Sequence, residues 1–113
     1  MLAVAGGKGG VGKTTTTLGL AGALARDGRP VRAVDTDREM PDLHALAGCD
    51  RDPSLAAVLD GDEVPEQPVA TIPGVRVVAA PRVDDGASVS SALARLRDRP
   101  TVVDTPAGAG PDA

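Results

Sequence analysis

The chain has 113 residues, and its 42% apolar and 25% charged residues suit one soluble globular domain and exclude a disordered tail. It contains no Phe, Trp or Tyr and carries a formal net charge of −4, which excludes aromatic platforms for single-stranded nucleic acid and a broadly basic surface. The single cysteine, Cys49, excludes an internal disulfide, and with neither a signal peptide nor an apolar stretch long enough to span a bilayer we expect a cytoplasmic protein.

Short apolar segments that predict strands alternate along the chain with segments that predict helices. The predicted strands cover residues 2–5, 31–34, 75–79 and 101–103, and the predicted helices cover residues 13–27, 42–48, 54–59 and 88–97. Asp42 and Ser54 stand at the expected N-caps of two of these helices. Residues 60–74 contain three prolines and are expected to form mainly a loop.

This alternation predicts an α/β fold with three layers, in which helices cover both faces of a mostly parallel sheet. Ligands of such sheets bind beyond the carboxyl ends of the strands. A glycine-rich segment follows the first predicted strand, Asp35-Thr36-Asp37 follows the second, and Asp104-Thr105-Pro106 follows the last. The sequence therefore predicts that these three polar segments converge at one edge of the sheet.

Residues 7–14 fit the phosphate-loop pattern G-x-x-x-x-G-K-[ST] at every fixed position. Glycines let successive backbone N–H groups point at phosphate oxygens, and the N-terminus of the following helix adds its positive end. Lys13 is expected to reach the β- and γ-phosphates, and the Thr14 hydroxyl to bind Mg²⁺. A glycine-rich turn that binds nothing is the alternative. The predicted nucleotide-binding residues are Gly7, Gly9, Gly10, Val11, Gly12, Lys13, Thr14 and Thr15.

The two lysines of the chain, Lys8 and Lys13, both lie in this loop, whereas all ten other basic residues are arginine. The segment Lys8-Gly9-Gly10-Val11-Gly12-Lys13-Thr14-Thr15 resembles the deviant Walker A motif of the MinD/ParA ATPases. In that family the first lysine reaches across an ATP-bound dimer to the partner's phosphates. The resemblance thus implies a catalytic role for Lys8 and an ATP-dependent homodimer. A solvated loop charge is the alternative for Lys8.

Two acidic segments extend the resemblance to this family. Val34-Asp35-Thr36-Asp37 is similar to its second motif, which implies that Asp37 positions or activates the attacking water and that Asp35 supports the Mg²⁺ shell. An ordinary polar turn is the alternative, because Asp is common after strands. Residues 102–108 resemble the Walker B segment, which implies that Asp104 lies beside Mg²⁺. The implied metal-binding residues are Thr14, Asp35 and Asp104.

The resemblance implies a Mg²⁺-dependent protein that binds and hydrolyses ATP as a dimerising spatial or regulatory switch, in division-site placement or DNA partition, with a protein partner or regulator. Members of the family are usually much longer. Residues 1–113 are therefore expected to form the N-terminal half of such a domain, truncated after the Walker B strand. Membrane or DNA contacts, including peripheral membrane association, would belong to the missing C-terminal regions. The alternative is a truncated remnant that keeps the fold or phosphate binding without turnover.

Overall fold

The computed structural model describes residues 2–4, 11–61, 63–83, 88–96 and 99–106. Its strands are β1 (Leu2–Val4), β2 (Val31–Asp35), β3 (Gln67–Pro68), β4 (Val75–Val78) and β5 (Thr101–Asp104). Its helices are α1 (Val11–Ala25), α2 (Leu43–Ala47), α3 (Val89–Ala94) and a 3₁₀ helix (Leu55–Leu59). Within these ranges, no helix combines the length and apolar character that a membrane crossing requires.

The strands form one sheet in the order β1-β5-β2-β4-β3. The pairs β1–β5, β5–β2 and β2–β4 are parallel, and β3 alone runs antiparallel to its neighbour β4. Asp104 at the end of β5 lies opposite Val4 on one side and Asp35 on the other. The mostly parallel sheet expected from the sequence is confirmed, and the last residues of three adjacent strands meet at its carboxyl edge.

Alternate residues of the strands face two apolar layers, as a three-layer fold requires. The layer formed with α1 and α2 contains Leu18, Ala21, Ala25, Val31, Ala33, Leu43, Val69, Val75, Val77 and Val102. The layer formed with the 3₁₀ helix and α3 contains Val34, Leu55, Val58, Val78, Ala92 and Leu96. Small aliphatic side chains fill both layers, so the helices pack closely against the sheet without any aromatic residue.

Glycine permits two close approaches that this packing needs. A Cβ atom added at Gly22 of α1 would lie 3.0 Å from Ile72 Cγ2, and one added at Gly74 would lie 3.1 Å from Ala25 Cβ. Gly74 also has a φ of +84°, in the left-handed region that favours glycine. The turn before β4 is therefore held tightly against α1.

Most predicted element boundaries shift by only a few residues, but the strand β3 was not expected. It lies within residues 60–74, which the sequence predicted to be mainly loop, and it consists of Gln67 and Pro68 paired with Val77 and Arg76. Proline is compatible with an outermost strand because that position does not require its missing N–H. Ser54 is confirmed as an N-cap, since its hydroxyl accepts a hydrogen bond from the Ala56 amide.

An ion cluster around Glu66 fastens the segment before β3 to the sheet. Arg32 is 3% exposed although it lies within β2, and its Nε donates to Glu66 Oε2 at 2.7 Å. Arg99 Nη1 donates to Glu66 Oε1 at 3.1 Å, and Arg76 Nε lies 3.7 Å from the same oxygen. A guanidinium inside a sheet is costly without a paired anion, and the Glu66 carboxylate contributes such an anion beside Arg32.

Replacing this anion is expected to destabilise the fold. The Glu66→Gln variant removes the carboxylate that the buried Arg32 guanidinium contacts, which should lower the free energy of unfolding by about 3 kcal/mol. Urea unfolding followed by far-UV circular dichroism suits a chain without aromatic residues. The matched control is Asp52→Asn, which breaks the exposed Arg82–Asp52 pair and should have little effect. Equal losses in the two variants would contradict the role assigned to Glu66.

Candidate functional site

The first turn of α1 and the end of β5 bring three polar side chains together. The Lys13 ammonium lies 3.3 Å from Asp104 Oδ1, and the Thr14 hydroxyl donates to Asp104 Oδ2 at 3.0 Å. The side chains of Lys13 and Asp104 are only 7% and 3% exposed. The Asp104 carboxylate, at the carboxyl edge of the sheet, therefore contacts the side chains of two consecutive residues of α1, Lys13 and Thr14.

The buried ion pair leaves hydrogen-bonding capacity unused. Neither Lys13 Nζ nor Asp104 Oδ1 has a hydrogen-bond partner within the described ranges, although the two atoms neutralise each other's charge. A buried ammonium carries three donors, and leaving such groups unpaired costs free energy. Phosphate oxygens match the donors of Lys13, and a hydrated Mg²⁺ ion matches the oxygens of Thr14 and Asp104. The residues present thus fit a phosphate group and its metal ion.

The oxygen atoms of the site are compatible with a Mg²⁺ ion that is shared with a phosphate group. Among the residues that the structure describes, no three His, Cys, Asp or Glu side chains are grouped to hold a metal ion. Mg²⁺ usually keeps several waters and takes one or two protein oxygens together with substrate phosphates. A hydroxyl and a carboxylate in contact, Thr14 and Asp104, are sufficient for that mode of binding.

The end of β2 is joined to the same carboxyl edge through backbone atoms. The Thr36 amide and the Thr36 hydroxyl both donate to the main-chain oxygen of Asp104 at 2.9 Å. Asp37 is 8% exposed, and its Oδ1 accepts a hydrogen bond from the Met40 amide at 3.0 Å. The Asp37 carboxylate therefore lies in a tight turn that follows β2, at the edge of the sheet where Asp104 contacts Lys13 and Thr14.

Asp35 is completely buried and binds backbone amides with both carboxylate oxygens. Oδ1 accepts from the Asp37 amide at 2.9 Å, and Oδ2 accepts from the Leu43 amide at 3.2 Å. The pKa of Asp35 is raised from its ordinary value of 3.8 to about 7, mainly by burial. The two amide hydrogen bonds lower the pKa, and the negative charges of Asp104 and Asp37 raise it, so about 7 is the net result.

The side chain of Asp42 corrects one prediction from the sequence. Asp42 occupies the N-cap position of α2 but makes no capping hydrogen bond, because its backbone is helical (φ −93°, ψ −20°) rather than extended. Asp35 instead accepts the amide of Leu43, the first residue of α2. Asp42 lines a cleft of about 300 Å³ together with Thr14, Ala45 and Leu46. No local sequence signal identifies Asp35, eight residues upstream of Leu43, as the group that caps this helix.

A larger cleft of about 440 Å³ lies against the C-terminal half of α1 and residues 71–73, away from the first turn of the helix. Its lining is mostly apolar and contains none of the predicted site residues. Although this cleft is the larger of the two, its apolar lining makes it a poorer candidate for binding phosphate than the polar cluster around Asp104.

The structure places the predicted site residues in three groups. Lys13, Thr14 and Asp104 are in contact, while Asp35 and Asp37 lie in the adjacent turn. Val11 begins α1, and Gly12 and Thr15 are exposed on its first turns. The remaining predicted residues lie outside the described ranges, and their roles stay predictions: Gly7, Lys8, Gly9 and Gly10.

The raised pKa of Asp35 predicts a pH dependence of stability. Between about pH 4 and pH 7 the native state retains a proton that the unfolded chain has released, so this contribution to stability is lost as the pH rises through that window. The loss is on the order of 4 kcal/mol. We expect urea unfolding profiles of the wild type and of Asp35→Asn to diverge between pH 4 and pH 8, with the variant showing the smaller decline. Parallel profiles would contradict the assignment.

Two curated bacterial proteins are similar in sequence to parts of this chain. The chain is 41% identical over 81 residues to the antiactivator FleN of Pseudomonas aeruginosa, covering 71% of this chain and 29% of FleN. It is 47% identical over 51 residues to the septum site-determining protein MinD of Synechocystis, covering 45% of this chain and 19% of that protein. The chain thus spans less than a third of the length of these curated relatives.

Solved structures share the fold over nearly the whole chain. The cell division ATPase MinD of Pyrococcus furiosus superposes with a TM-score of 0.74 at 31% identity, covering 99% of this chain and 52% of that one. MinD of Pyrococcus horikoshii in complex with Mg-ADP gives a TM-score of 0.74 at 28% identity, covering 96% and 49%. The sequence profile described as the CobQ/CobB/MinD/ParA nucleotide binding domain matches residues 2–98. The chain therefore belongs to the CobQ/CobB/MinD/ParA family of nucleotide-binding domains.

Proposed function

We propose that this chain binds ATP with Mg²⁺ at the carboxyl edge of its sheet and forms part of a MinD/ParA-type ATP hydrolase that acts as a dimerising switch. The observation that carries the proposal is the buried contact of Lys13 and Thr14 with Asp104. Membership of a nucleotide-binding family and the Mg-ADP complex of the related MinD support the choice of ligand. FleN and MinD, the relatives named above, support a regulatory or spatial role.

Each residue of the proposed site binds or acts on a different part of the ligand. Lys13 binds the phosphates, while Thr14 and Asp104 provide oxygen atoms for the cation. When bound, Mg²⁺ neutralises charge on the β- and γ-phosphates. Asp37, in the turn beyond the end of β2, orients the attacking water, and Lys8 adds a positive charge to the partner's site.

The ion pair between Lys13 and Asp104 links the binding of phosphate to that of the cation. A bound phosphate would compete with Asp104 for the Lys13 ammonium, and a buried carboxylate left without a counter-ion would be strongly unfavourable. A cation beside Asp104 and Thr14 removes this penalty. Nucleotide and Mg²⁺ are therefore expected to bind cooperatively, because each replaces one half of the ion pair.

The first test removes the lysine that contacts Asp104. Charge-assisted hydrogen bonds are worth about 1.5–3 kcal/mol each, so Lys13→Ala should lower ATP affinity roughly tenfold or more in the presence of Mg²⁺. Isothermal titration calorimetry measures the affinity, and circular dichroism confirms that the variant is folded. The control is Arg29→Ala, which removes an exposed cation elsewhere. Unchanged ATP affinity in Lys13→Ala would refute the proposed site.

The second test concerns Lys8, whose expected role requires a second subunit. Lys8→Ala should leave ATP binding by the monomer close to normal, because the lysine acts on the partner's phosphates. It should weaken both dimerisation and hydrolysis, because the site is complete only across the interface. Sedimentation with a non-hydrolysable ATP analogue and a phosphate-release assay measure the two effects. If wild type and variant dimerise and hydrolyse ATP equally, residues 7–14 form an ordinary phosphate loop.

A further inference from the structure

The Asp35 carboxylate binds both ends of the segment that follows β2. One oxygen accepts the amide of Asp37, two residues downstream, and the other accepts the amide of Leu43, eight residues downstream. The Asp35 side chain is 0% exposed, so water does not compete for these hydrogen bonds. A single buried group therefore fixes where the chain turns away from β2 and where α2 begins.

This arrangement replaces the usual helix cap. The residue at the N-cap position, Asp42, makes no capping hydrogen bond, and the Leu43 amide would otherwise be an unpaired donor at the helix start. Because the substitute acceptor belongs to the sheet, the start of α2 is tied to the last residue of β2. The same helix α2 contributes Ala45 and Leu46 to the cleft that Asp42 and Thr14 also line.

Asp37 is held between fixed points on both sides. Its amide is bound to Asp35, and the preceding residue, Thr36, is bound through two hydrogen bonds to the main chain of Asp104. Its own carboxylate closes the turn by accepting the Met40 amide. The backbone of Asp37 is therefore aligned with the residue that contacts Lys13 and Thr14.

We propose that Asp35 is a positioning residue, whose carboxylate sets the turn 37–43 and thereby holds Asp37 at the phosphate side of the sheet, rather than a group that supports the Mg²⁺ shell. Both of its oxygens accept backbone amides and the side chain is 0% exposed, whereas a contact with the water shell of Mg²⁺ requires an oxygen that faces water. The catalytic consequence rests on the proposed function of Asp37. The role of Asp35 in setting the turn 37–43 does not depend on the function of Asp37. Experiments can therefore refute the structural role and the catalytic consequence separately.

The geometric part is tested by amide hydrogen exchange in ¹⁵N-labelled Asp35→Asn. Asparagine keeps the shape of the side chain but has one oxygen, so it can accept only one of the two amides. Exchange of the Asp37 or the Leu43 amide should accelerate roughly tenfold or more, while the Ala33 amide within β2 stays protected. Unchanged exchange at both Asp37 and Leu43 would overturn the proposal, whether or not the wild type hydrolyses ATP.

The catalytic part is tested by the kinetics of the same variant. Displacement of Asp37 should lower kcat roughly tenfold or more, while KM and the Mg²⁺ concentration needed for half-maximal ATP binding stay close to the wild-type values. A raised Mg²⁺ requirement would overturn the proposal in favour of a metal role, and so would an unchanged kcat with accelerated amide exchange. A wild type that binds ATP without hydrolysing it would refute the proposed function and leave the amide-exchange result to decide the geometry.

Two further variants separate positioning from general destabilisation. Thr101→Val removes a buried hydroxyl at the opposite end of β5, where it donates to Leu96 and Arg99, and should leave the turn amides and kcat unchanged. Replacement of the Leu43 amide by an ester removes the donor but keeps the Asp35 carboxylate and the leucine side chain. This ester variant should show the same fall in kcat as Asp35→Asn. It also provides the test if Asp35→Asn does not fold. An ester variant with wild-type kcat would overturn the proposal.

Discussion

The buried Asp104 carboxylate is the interaction on which the site depends. It binds the side chains of Lys13 and Thr14 on α1, while its main-chain oxygen accepts two hydrogen bonds from Thr36 after β2. A helix and two strands are thus joined at one residue. Because its carboxylate is 3% exposed, Asp104 depends on these partners to compensate its charge, so the residue is a structural junction as well as part of the candidate site.

Two buried acids, Asp35 and Asp104, lie opposite each other at this edge of the sheet but have different surroundings. Asp104 contacts the side chains of Lys13 and Thr14, and within the described ranges Lys13 Nζ and Asp104 Oδ1 have no hydrogen-bond partner. Asp35 faces only backbone amides among the described residues that hydrogen-bond to it, and burial raises its pKa to about 7. What each of the two carboxylates can bind is therefore set by the groups that surround it.

At the opposite end of the sheet, a buried charge is again compensated by a charge of opposite sign, although this pair is not part of the candidate site. Glu66 compensates the guanidinium of Arg32 inside β2, and the more exposed Arg99 and Arg76 surround the same carboxylate. Between the two polar ends, small aliphatic side chains fill both layers, and Gly22 lets α1 approach Ile72. The apolar middle of the sheet holds the strands in register, which keeps the carboxyl edge aligned.

The sequence alone determined the alternation of strands and helices, the parallel sheet and the convergence of the segments that carry Thr14, Asp35 and Asp104 at one edge, because these follow from periodicity and from short motifs at strand ends. The contact of Lys13 with Asp104 was seen only in the structure. Tertiary structure decided that β3 pairs with β4, that Asp35 rather than Asp42 binds the first amide of α2, and that Glu66 lies beside Arg32. These contacts join residues whose separation in the chain carries no periodic signal. They depend on the path of connecting segments and on the burial of charge, and both are fixed only when the layers pack together.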